Sequence, residues 1–95
     1  MNNVADQNLD RAMEYLVEQL ASIEHERWAH WQAYLHKQGQ RQNDGSIVLP
    51  AELVSRWERQ IATSYAELTP DEQSSDREQV MKYLPLIMKM LQLGS

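Results

Sequence analysis

Apolar residues recur along the first third of the chain at steps of three and four, the spacing of one helical face. Leu9, Met13, Leu16, Leu20 and Ile23 form one stripe, and Val17, Leu20, Glu24, Trp28, Trp31 and Leu35 form a second beside it. The stripes share Leu20, so the pattern predicts a helix from Gln7 to Lys37 with a broad apolar face, as for a helix packed against two neighbours. Asp6 or Asn8 is placed to cap its start, and Met1 to about Asp6 is expected to fray. Gly39 supplies a stop, and His36 and Lys37 oppose the negative end of the helix.

The pattern then breaks. Gln38 to Ser46 reads as a loop, with Asn43-Asp44-Gly45 as a turn signal because these residue types tolerate positive φ. Ile47-Val48-Leu49 is either a strand stub or an extended segment pinned to the core. Pro50 opens a second helix, in which Leu53, Trp57 and Ile61 lie four apart and the end falls near Ala62. Thr63 to Leu68 is a connector anchored by Tyr65 and Leu68. Thr69-Pro70-Asp71-Glu72 has a cap, a first-turn proline and an acid three residues after the cap, and Ser75-Asp76-Arg77-Glu78 repeats that logic. The two signals predict a one-turn helix followed by a longer one from Asp76. Val80, Leu84, Ile87 and Leu91 mark the face of the longer helix, and Pro85 should kink it near Met81 to Leu84 by removing a backbone donor. The expected fold is all-α: a small three-helix domain with one additional short helix and an extended loop between helices 1 and 2.

Composition narrows the classes. Ninety-five residues make one domain, spanning 1–95, with Gly94-Ser95 set aside as an appended tail. A net charge of −5 opposes general nucleic-acid binding, which needs a basic footprint. The absence of cysteine excludes disulfides and thiolate metal sites and suits a cytoplasmic protein. The first residues lack the charged and apolar regions of a secretory signal, and no apolar run reaches the ~20 residues needed to span a bilayer. The first helix carries more apolar surface than a small three-helix core needs. A homodimer or larger assembly is therefore expected, with Leu9, Met13 and Leu16 near the contact and Met88 and Leu91 supporting it.

Candidate chemistry is sparse. His25 and His30 are five residues apart, about 140° around a helix, so they do not form the paired ligands of a zinc helix, and no metal or cofactor is expected. The serines lie outside any nucleophile elbow, and the three glycines are scattered, so no phosphate loop is present and a non-catalytic role is expected. Glu24 stands out because a carboxylate on an apolar face needs a partner. Arg77 is the expected one, as a structural ion pair, with Arg56 and Arg59 as alternatives. Trp28, Trp31, Trp57 and Tyr65, with Arg27, Arg56 and Arg77, are the candidates for a ligand site, since aromatic faces stack on planar bases and arginine forks hold phosphates. Against that, each tryptophan lies on the stripe of its helix, which predicts that all three are mostly buried.

Two motifs carry a family resemblance. The first is His25, Glu26 and Trp28 as H-E-x-W; the second is Tyr65, Glu67, Leu68, Glu72, Asp76 and Arg77 as Y-x-E-L-x-x-x-E-x-x-x-D-R, followed by Val80 and Leu84. Together they resemble the ryanodine-receptor repeat domain over roughly Leu16 to Leu91. Of the G-W-x-Y-G element usual after that family's first helix, only Gly39 has a counterpart here. The chain also looks like small phage and prophage proteins carrying E-H-E-R-W and S-D-R. The resemblance implies a small helical module that binds a nucleotide-derived ligand, in phage–host defence or counter-defence. The other expectation is a helical interaction or oligomerisation module that docks a host protein.

Overall fold

A computed structural model describes residues 4–93. Helix α1 runs over Val4–Gln38, strand β1 over Gln40–Arg41, strand β2 over Ile47–Val48, helix α2 over Ala51–Ile61 and helix α3 over Pro70–Leu93, with a 3₁₀ turn at Tyr65–Glu67. The all-α class with three helices and one short helical turn is what the periodicity predicts. The expected fraying of Met1 to Asp6 does not hold from Val4 onward. No glycine or proline interrupts the chain before Gly39, so nothing ends the helix at Gln7. Met1 to Asn3 and the Gly94-Ser95 tail lie outside the described residues.

The loop after α1 closes as an antiparallel hairpin, with Gln40 opposite Val48 and Arg41 opposite Ile47. Its turn is built by the residues that signalled it. Gly45 takes φ +91°, and Asp44 Oδ1 accepts from the Ser46 amide at 2.9 Å and the Ser46 hydroxyl at 2.6 Å. Gly39 has a different task. A Cβ there would overlap the Ile47 side chain and lie 3.0 Å from the Val48 carbonyl oxygen, so the hairpin needs a bare backbone at this point. α2 then starts directly after Pro50, whose carbonyl accepts from the Leu53 and Val54 amides.

α3 differs from expectation. The capping box at Thr69 forms: the Glu72 amide donates to Thr69 Oγ1 at 3.3 Å, and the Thr69 amide donates to Glu72 Oε1 at 3.0 Å. The second cap signal at Ser75-Asp76 does not break the helix, which continues unbroken to Leu93. Once the first turn is nucleated, each further residue adds a hydrogen bond, and polar side chains in mid-helix can face solvent. Pro85 lies inside α3 and leaves the Met81 carbonyl without its usual amide donor.

The chain divides into two compact units, to both of which α1 and α3 contribute. One takes α1 up to Arg27 together with α3 from Glu78, a helical hairpin. The other is Trp28–Arg77 and holds the β-hairpin, α2 and the 3₁₀ turn. In the second unit Trp31 meets Trp57 edge to face at 5.5 Å and stacks on Tyr34 at 5.5 Å. Leu35, Ile47, Leu49, Leu53, Val54 and Leu68 are half-buried there. Glu72 ties the end of α2 to the start of α3: its Oε2 accepts from Arg59 and Gln60, each at 2.5 Å.

Candidate functional site

In the helical hairpin the half-buried residues form two seams. On α1 they are Ala12, Leu16, Gln19, Ile23 and Arg27, with Leu20 beside them; on α3 they are Gln79, Tyr83, Leu86 and Met90, at steps of four, three and four. That spacing is the knobs-into-holes repeat of paired helices. Tyr15 and Leu16 line a shallow crevice together with Leu86, Lys89 and Met90, and the Tyr83 hydroxyl donates to Glu24 Oε2 at 2.5 Å. The two contacts set the antiparallel register: the middle of α1 lies level with the last turns of α3.

These seams use only part of the apolar surface. Along α3, Val80, Leu84, Ile87 and Leu91 repeat the steps of four, three and four one position round the helix, and all four are exposed, Leu91 at 63%. Met81 and Met88, seven apart, extend the same face. Seam and stripe together occupy five of every seven positions of α3 from Gln79 on, far more than one neighbouring helix can cover. α1 carries the matching surplus: Leu9, Met13 and Val17, four apart, with Val17 59% exposed. Among the described residues no side chain is fully buried. The hairpin therefore presents a continuous apolar face on two helices.

Charge is divided unequally between those helices. Asp6, Asp10, Glu14 and Glu18 run at steps of four beside the Leu9–Met13–Val17 stripe. α3 after Glu78 carries only Lys82 and Lys89. At the far end of the hairpin, Glu24 is clamped by Arg27 through two hydrogen bonds and by the Tyr83 hydroxyl. Arg27 first, then Tyr83, holds its carboxyl down at about 2. The same clamp raises the Arg27 guanidinium and the Tyr83 phenol.

The residues expected to form a ligand site are distributed as follows. Arg27 belongs to the helical hairpin and is engaged by Glu24. Trp28, Trp31, Arg56, Trp57, Tyr65 and Arg77 belong to the second unit. There Arg77 donates to the Tyr65 hydroxyl at 2.9 Å, and Trp31 joins Trp57. Arg56 lies on the exposed side of α2. Arg77 was the expected partner of Glu24, but Glu24 is held by Arg27 and Tyr83. The expectation of mostly buried tryptophans holds for Trp57 and fails for Trp28, which is 53% exposed, with Trp31 between them at 39%. A unit of this size has too few apolar side chains to cover three indoles. Tyr83 was missed by sequence reasoning, although its steps from Gln79 and to Leu86 mark a second stripe on α3.

No helix among the described residues is long and apolar enough to cross a membrane. Compared with family models, curated proteins and solved structures, the chain matches none.

Proposed function

We propose that the protein is a helical interaction module whose working surface is the apolar face of the α1–α3 hairpin. The observation that carries this is the exposed stripe Val80, Leu84, Ile87 and Leu91 running beside a seam that α1 already occupies. Large contiguous apolar patches on soluble chains mark sites of association. Binding of a nucleotide-derived ligand in the second unit draws less support. Trp31 spends one face on Tyr34 and meets Trp57 at its edge, and Arg77 is engaged by Tyr65, so both act as packing and positioning groups.

The test pairs two readouts, assembly and uptake of an apolar fluorescent dye such as anilinonaphthalene sulfonate. A working face either assembles or, when free, takes up the dye. Leu84→Lys with Ile87→Lys should abolish whichever is seen, while the near-ultraviolet circular dichroism of the tryptophans in the second unit persists. A wild-type chain that neither assembles nor binds the dye contradicts the proposal.

A further inference from the structure

Given the interaction-module function proposed above, on which this rests, we infer that the occupant of the apolar face is a second copy of the chain, forming a four-helix bundle in which α1 of each copy lies beside α3 of the other. Three observations converge on that partner.

The first is extent. Leu9, Met13 and Val17 on α1 and Val80, Leu84, Ile87 and Leu91 on α3 all stand exposed on the one face of the hairpin. A contiguous apolar surface of that length on two helices is what an association between helical chains covers.

The second is the repeat of the exposed stripe. Val80, Leu84, Ile87 and Leu91 keep the four–three–four spacing of the seam beside them. A stripe of that spacing takes another helix in knobs-into-holes packing, rather than an extended peptide. One hairpin that needs a further helix on each of its two members is completed by another hairpin of the same kind.

The third is charge, which also fixes which helix meets which. From Val4 to Arg27, α1 carries six acids against two arginines, a formal −4, whereas α3 beyond Glu78 carries only Lys82 and Lys89. Setting α1 against α1 would oppose two acid ladders. Setting α1 against the other copy's α3 brings a helix of formal −4 beside one of formal +2, and the two-fold repeats that match on the other side. In that arrangement every neighbouring pair of helices is antiparallel when the two-fold axis runs along the bundle. The in-chain register, Leu16 level with Leu86 to Met90, then repeats between copies, so Val17 of one copy comes level with Ile87 of the other.

The absence of cysteine makes the test direct, because any introduced thiol is unique. Full-length Val17→Cys and Ile87→Cys chains are prepared separately, mixed under mild oxidation and followed by sedimentation equilibrium alongside wild type. The expected result is a wild-type species of twice 11.1 kDa and a mixed disulfide dimer formed at least tenfold faster than either chain pairs with itself. A wild-type monomer at about 100 μM, or self-linked Val17→Cys chains as the main product, overturns the inference. A monomer that takes up the dye, and loses it in the Leu84→Lys, Ile87→Lys chain, points to a foreign helical partner and leaves the interaction module standing. A monomer that takes up no dye removes both.

Discussion

Glu72 does more than any other carboxylate in the described residues. It completes the Thr69 cap and accepts from Gln60 and Arg59 across to α2. Those bonds, Gln60 first and Arg59 next, hold it at about 2 against an ordinary 4.5. A carboxyl lowered by folding contributes stability that is complete above its unfolded value and fades as pH falls towards the folded one. Wild type should therefore lose melting temperature between about pH 5 and pH 2, and Glu72→Gln should lose less. The gap between the two should be widest near neutrality and close near pH 2, read by thermal unfolding; parallel curves would contradict the role given to Glu72. The cap itself was legible, because Thr-Pro-Asp-Glu is a local signal, but the link to α2 was not, since nothing local ties position 72 to positions 59 and 60. Glu24 illustrates the same limit. Its place on an apolar stripe flagged it, yet a neighbour three residues on and a neutral phenol on another helix hold it. Gln79 carries the opposite signature, a buried side-chain oxygen without a hydrogen-bond partner in the α3 seam. Gln79→Leu should raise stability by about 1–2 kcal/mol in denaturant titration, because it removes a desolvated, unpaired group; a comparable loss would mean that the amide is satisfied.

At the level of elements, two substitutions separate backbone effects from packing. Gly39→Ala puts a methyl group against Ile47 and the Val48 carbonyl, and should cost about 1–3 kcal/mol through overpacking. Its φ is not positive, so a gain in stability would show that the hairpin can shift to admit a side chain. Pro85→Ala restores a donor to the Met81 carbonyl in the middle of α3 and should stabilise the chain by about 1–3 kcal/mol. An unchanged or lowered midpoint would assign the proline a bend that the assembled helix requires. Periodicity placed all three helices within a few residues. It misread only the start of α3, where Ser75-x-x-Glu78 has the spacing of a capping box and equally that of two neighbours on a helix face.

For the molecule as a whole, the stripes were legible and their occupants were not. A run of apolar residues at helical spacing states that a face will be covered, but not whether by the same chain. In the helical hairpin each helix covers one seam of the other and leaves a second stripe exposed, and no described side chain is fully buried. A hairpin that closes its face on another chain gains stability by mass action, so its folding and its association are one equilibrium. The dependence of the melting temperature on protein concentration tests this most directly. The midpoint should rise steadily from about 1 to 100 μM, and the Leu84→Lys, Ile87→Lys chain should melt lower with no such rise. A wild-type midpoint that stays constant over that hundredfold range would contradict closure of the face by a second copy.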